Sequence, residues 1–114
     1  MYNYFMLVGR LAKDPEEVIF EDGKKVVNIS LAVSRGFKNS NGEIETDFFT
    51  IQFWGFLIDP FLEYLKVGSP VGIKGRIQNI HKELSNGYPL PVPTLIGERI
   101  LNFGSSSNKQ KKEE

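Results

Sequence analysis

The chain has no cysteine, one histidine and one tryptophan. Without thiols it can build neither a disulfide framework nor a thiolate zinc site, which fits a reducing cytoplasm. The single histidine, His81, falls in a stretch that reads as a polar loop, where a surface role suits it better than a catalytic one. No Gly-x-x-x-x-Gly-Lys phosphate loop and no His/Glu metal spacing occurs. Neither an enzyme nor a resident cofactor or metal is expected. No apolar run approaches the ~20 residues that cross a bilayer. The opening Met1-Tyr2-Asn3-Tyr4 lacks the basic leader of a secretory signal, so no membrane role is expected.

An excess charge of one sign is also missing, because 14 basic residues balance 14 acidic ones. The distribution is less even than the sum. Acids crowd into turns, at Asp14, Glu16, Glu17, Glu21 and Asp22, and again at Glu43, Glu45 and Asp47. Bases recur inside strand patterns, at Arg10, Arg35, Lys74 and Arg76, so a neutral chain can still present a positive groove. The acids Glu43, Glu45 and Asp47 alternate in a way that could suggest a hard-metal site. Beside a hairpin, turn and solvating roles are the commoner case.

What is present is a hydrophobic fraction of 40% in 114 residues, enough for one folded domain. The most informative segment runs Asp47-Phe48-Phe49-Thr50-Ile51-Gln52-Phe53-Trp54. As a strand it puts Phe49, Ile51 and Phe53 on one face and Phe48, Thr50, Gln52 and Trp54 on the other. The first face is wholly apolar and requires burial. The second spaces two large aromatics with short polar residues, which suits a surface that stacks flat ligands such as bases. Two opposed buried faces of a sandwich remain the competing reading of this strand alone.

The rest of the chain reads mostly as strands. Residues 3–11 are strongly apolar up to Gly9, where a bulge or bend is expected. Asp14-Pro15 and Glu21-Asp22-Gly23 signal turns. Over residues 25–35, Val27, Ile29, Leu31 and Val33 alternate with Asn28, Ser30, Ala32 and Ser34. Asn39-Ser40-Asn41-Gly42 marks a hairpin loop, and Gly55 ends the aromatic strand. Leu57, Ile58, Phe61, Tyr64 and Leu65 then recur at helical spacing behind Asp59-Pro60, predicting one short amphipathic helix that plugs a barrel. Residues 70–78 alternate again. A loop is expected over Asn86-Gly87 and Pro89/Pro91/Pro93, then a last strand over 94–103. Residues 104–114 carry no apolar side chain and read as a disordered polar tail on a domain of residues 1–103.

About five strands, with a short α-helix between the third and fourth long ones, match an all-β, five-stranded Greek-key barrel of the oligonucleotide/oligosaccharide-binding (OB) type. Open edges with this much apolar surface would aggregate, so closure is required. The apolar run over residues 2–8 exceeds what one barrel face can bury, which is consistent with pairing between subunits, and Phe49 is a second candidate for such a contact.

Three stretches carry a resemblance: Leu7-Val8-Gly9-Arg10-Leu11-Ala12-Lys13-Asp14-Pro15-Glu16, Asn28-Ile29-Ser30-Leu31-Ala32-Val33-Ser34-Arg35, and Tyr64-Leu65-Lys66-Val67-Gly68-Ser69-Pro70 running into Gly75-Arg76-Ile77. In order and spacing they resemble the bacterial single-stranded-DNA-binding proteins across residues 1–103. The resemblance implies an OB fold, a homotetramer and sequence-tolerant binding of single-stranded DNA in replication, repair and recombination, without catalysis. It places the family's stacking aromatics on Phe37, Phe48 and Trp54. A fourth family aromatic falls at His81-Lys82, so one platform is replaced by a cation or a weaker ring. In the implied topology Arg10, Lys13, Arg35, Lys38, Lys74, Arg76 and Lys82 lie near the rings as phosphate partners.

The chain departs from many family members at Lys111-Lys112-Glu113-Glu114, where a linker and an acidic tip with a terminal aromatic would stand. Recruitment of repair proteins by that route is not expected. Lys109, Lys111 and Lys112 read as solubilising rather than DNA-gripping. The outline is closer to short, tail-less relatives from DNA-uptake systems and mobile elements. Two other readings of the same barrel stay open, an RNA binder and a primosome-type accessory module that joins partners.

Overall fold

A computed structural model describes residues 1–103. The predicted tail lies outside the described residues. Six strands form one sheet: β1 Phe5–Leu11, β2 Glu16–Ile19, β3 Lys25–Lys38, β4 Ile44–Trp54, β5 Pro70–Glu83 and β6 Pro89–Asn102. The order is β1-β5-β6-β4-β3-β2, and a further β1–β3 pairing closes five of the strands into a barrel. β4 and β6 run parallel at Ile51↔Leu95 and Gln52↔Ile96, while the other pairs are antiparallel. The all-β barrel predicted from sequence is present. Among the described residues no helix is long and apolar enough to cross a membrane.

Period-2 patterning explains the barrel's interior. Val27, Ile29 and Leu31 of β3 meet Ile51 and Phe53 of β4 inside, with Val71, Ile73, Ile100 and Leu11. Burying each such side chain stabilises the fold by about 1.5–3 kcal/mol. β1 must approach β3 closely where it leaves β5. Gly9 permits this, because a Cβ there would collide with the carbonyl of Ala32. Of the bulge or bend expected here, no bulge is seen, and β1 passes from β5 to β3 at the next residue, Arg10. β1 runs through Gly9 and pairs it in register with Val71. At the end of β4, Gly55 turns with φ 78° and donates its N–H to Lys25 O at 2.8 Å.

The helical segment is a 3-10 helix, Asp59–Tyr64, rather than an α-helix. Six residues opening on Asp59-Pro60 are too few for α-helical hydrogen bonds to repeat, and 3-10 geometry is the usual solution for short pieces. The plug comes from its flanks: Ile58 and Leu65 are buried, whereas Leu57 and Phe61 are exposed. Lys25 pins the helix start. Its Nζ donates to Asp59 Oδ1 and sits 2.7 Å from Glu17 Oε1, tying β2, β3 and the helix together. Those partners hold its ammonium above the ordinary lysine range, the hydrogen bond to Asp59 contributing most.

The larger correction concerns the fourth and fifth long strands. Of the loop expected over residues 79–93, only the turn around Asn86-Gly87 is present, and the residues flanking it are strand. β5 and β6 continue as a hairpin arm, with His81 opposite Pro91, Lys82 opposite Leu90 and Glu83 opposite Pro89. His81 therefore sits in a strand. Prolines at 89, 91 and 93 fall on every second residue, so the N–H donors they lack all belong to one edge of β6. The other edge keeps its donors for β5. Prolines on a free edge also discourage pairing with foreign strands. The β3–β4 hairpin likewise extends past the barrel as a second arm turning at residues 39–42, with an irregular register between Ser34 and Lys38.

Candidate nucleic-acid interface

The outward face of β4 follows directly from its alternation. Phe53 and Ile51 are sealed at 0% exposure, while Phe48 is 70% and Trp54 42% exposed. Thr50 and Gln52 lie between the two rings on the same side. Six residues of strand separate the rings by about 20 Å at ~3.4 Å per residue. Phe49 is half-buried on the inner side of β4, opposite Leu31.

Cross-strand register shows what shares this face, because directly opposed residues of an antiparallel pair point the same way. Asn28, Ser30 and Ala32 of β3 stand opposite Gln52, Thr50 and Phe48. They form a shallow floor of short side chains beside the rings. Arg10 of β1 pairs with Ala32 in turn, so Arg10, Ala32 and Phe48 make one row across the outer surface. Its guanidinium donates to Gly68 O at 2.9 Å, which steadies it at the barrel rim. On the other flank, Pro93 and Thr94 line the hollow beside Phe48 and Thr50. Arg76, Gln78, Ile96 and Glu98 line the hollow beside Trp54. Arg76 donates from Nη1 to Glu98 Oε2 and from Nη2 to Gln78 Oε1, both at 3.0 Å.

The sequence-predicted residues thus separate into groups. Phe48, Trp54, Arg10 and Arg76 come together on one face. Phe37, 65% exposed, and Lys38 lie near the tip of the β3–β4 arm. Lys82 is exposed along the β5–β6 arm. Lys74 instead faces β1, opposite Met6, with its Nζ 5.9 Å from the centre of the Tyr4 ring. Lys13 follows β1 and stands outside the Arg10–Phe48 row.

Arg35 is turned away from the rings. It grips Asp47, whose side chain alternates to the opposite face from Phe48, through Nε and Nη2 at 3.0 Å each. Glu45 Oε2 adds a contact to Nη1 at 3.4 Å. These carboxylates therefore serve an ion pair in the arm. Their guanidinium partner lowers the Asp47 pKa, chiefly by hydrogen bonding, and Asp47 raises that of Arg35. A lowered carboxylate pKa keeps the pair charged at neutral pH. Its support of the fold is present above the ordinary carboxylate value of ~3.9 and is lost only as pH falls through the lowered one.

Sequence reasoning missed one ring. Phe20, in the β2–β3 turn, stacks on Trp54 with centroids 5.7 Å apart and planes 10° from parallel. The available signal was weak: an aromatic just ahead of Glu21-Asp22-Gly23, where a turn alone would favour polar residues.

Comparison with known proteins adds independent support. Residues 2–101 match the model of the single-strand binding protein family. Single-stranded DNA-binding protein B of Bacillus subtilis is 38% identical over 100 residues, covering 88% of each chain. Single-stranded DNA-binding protein 3 of Listeria innocua is 37% identical over 108 residues, covering 95% of this chain and 68% of its own. A crystal structure of a deletion mutant of the single-stranded DNA binding protein from Thermus aquaticus superposes with a TM-score of 0.71 at 17% identity. It covers 90% of this chain, which spans half of that longer one, and shares the fold.

Proposed function

Because the chain belongs to the single-strand binding protein family, we propose that it binds and protects single-stranded DNA without sequence preference, in replication, repair, recombination or DNA uptake. The observation that carries this reading is the pair of exposed rings, Phe48 and Trp54, on a strand whose other face is the barrel's sealed interior. Bases stack on these rings, and stacking tolerates any sequence because every base has a π-face. Phe37 reaches a further base from the arm. Thr50, Gln52, Asn28 and Ser30 leave room between the platforms and offer hydrogen bonds too few to select a sequence.

Phosphates need cations beside the rings. Arg10 and Arg76 fill that role on the stacking face, and Lys38 and Lys82 extend it along the two arms. Lys13 and Lys74 contribute through the wider field, and Arg35 contributes least because Asp47 and Glu45 hold it on the other side. The chemistry is recognition: no bond is made or broken, and no metal or cofactor enters it. The working unit is residues 1–103, acting in the bacterial cytoplasm. Assembly as a homotetramer belongs to the same reading, supported by exposed Met6 and Val8 on the outer side of β1 and by exposed Tyr4 just ahead of it.

Trp54 is the only tryptophan, so its emission reports on the proposed site directly. Titration with oligo-dT is expected to quench it strongly and saturably, with duplex DNA and oligo-U far less effective. A preference for oligo-U would make the protein an RNA binder. No binding to either would leave the barrel as an accessory module that joins protein partners.

A further inference from the structure

The stacking surface does not end at Trp54. β2 and β3 pair Val18 with Val26, and Val26 stands opposite Trp54, so these three side chains share the outer face. The next row belongs to Phe20, whose N–H donates to Lys24 O at 2.8 Å as the hairpin turns through Gly23. Phe20 lies nearly parallel to Trp54, yet it remains 45% exposed while Trp54 stays 42% exposed. Neither ring seals the other. A phenylalanine at a hairpin turn, exposed to this extent, adds little to the interior.

Next to the pair is a hollow lined by Asp22, Gly23, Lys24, Lys25, Trp54, Gly55 and Phe56. Lys25 is already committed to Glu17 and Asp59 at 2.7 Å each. Lys24 is held more loosely: its side chain is 74% exposed and its ion pair with the exposed Asp22 is 4.0 Å long. The hollow therefore offers an exposed ammonium beside a wide aromatic platform, the combination that holds one nucleotide by its base and its phosphate.

We infer that Phe20 is a further base-stacking residue, extending the DNA path past Trp54 into the β2–β3 turn, with Lys24 meeting the phosphate of the added nucleotide. This rests on the single-stranded-DNA reading of the Trp54 face. The strand then crosses the outer surface from Phe48 to Trp54 and leaves over Phe20 rather than stopping at the end of β4.

The test is a set of Phe20 variants titrated with oligo-dT of increasing length, followed by Trp54 quenching and, independently, by anisotropy of labelled DNA. Phe20→Ala is expected to weaken binding about fivefold or more and to lower the oligonucleotide length at which affinity stops rising. Phe20→Tyr should retain wild-type affinity, and Phe20→Leu should not. Lys24→Gln should weaken binding less and flatten its salt dependence. Full affinity in Phe20→Leu would overturn the inference, since an apolar prop for Trp54 would then suffice. Unchanged affinity and length dependence in Phe20→Ala would overturn it too. A wild-type protein that does not bind oligo-dT would instead defeat the proposed function, so the two failures are distinguishable. Thermal unfolding of each variant checks that the hairpin still folds.

Discussion

Replacing Phe48 or Trp54 by alanine is expected to weaken oligo-dT binding about 5- to 150-fold, the equivalent of ~1–3 kcal/mol of stacking, while thermal unfolding stays nearly where it was. The reason is the asymmetry of β4. Phe48 is 70% exposed and has little burial to lose. Trp54 rests against Phe20 and covers Val26, so its removal costs the fold somewhat more than that of Phe48. The control lies one residue away. Phe53 is fully buried, and Phe53→Ala should destabilise by about 3–5 kcal/mol. If Phe48→Ala lowers the unfolding midpoint as Phe53→Ala does, both faces of β4 are structural and the stacking surface is lost with them.

The second large effect is electrostatic and concerns Arg76. It lines the hollow at Trp54 but shares its guanidinium with Glu98 and Gln78. An approaching phosphate competes with Glu98 for the same donors. Arg76→Gln is expected to weaken DNA binding and to reduce the slope of log affinity against log salt by about 0.7, the contribution of one phosphate on a single strand. Glu98→Gln should do the reverse, tightening binding at low salt and steepening the slope. Both side chains are about half exposed, so neither change should alter stability appreciably. Arg35→Gln is the contrast. Its partners sit on the face away from the rings, so the slope should barely move. An equal loss of slope from Arg35 and Arg76 would mean that the DNA path is not confined to the Phe48–Trp54 face.

How much of this is legible in the sequence depends on the range of the interaction. Strict alternation in β3 and β4 is local, and it identified both the sealed face and the aromatic one. The β5–β6 arm was hidden because three prolines look like a loop until their period-2 spacing is seen to spare the hydrogen-bonded edge. β2 was hidden because Glu16–Ile19 is four residues long and lies between two turn signals. The short helix was visible, but its 3-10 winding moved Phe61 out of the stripe that an α-helical period predicts. Arg35 looked like a phosphate ligand because nothing local reveals a partner 12 residues away on the neighbouring strand. The Phe20–Trp54 stack spans a longer separation still, and only the register of β2 on β3 and β3 on β4 brings the rings together.

The same register separates two surfaces that composition alone would merge. The exposed apolar side chains of β1, among them Met6 and Val8, stand beside Lys74 and Gly72 of β5, around the barrel from Trp54. The proposed subunit association through β1 would therefore leave the β4 face open.

Photo-cross-linking with oligo-dT carrying 5-iododeoxyuridine, followed by mapping of the modified peptides, probes ring–base contact most directly. Adducts are expected on Phe48 and Trp54, and they should disappear when unlabelled oligo-dT competes. Adducts confined to Tyr4 and the β1 surface, with Phe48 and Trp54 unmodified, would contradict the account.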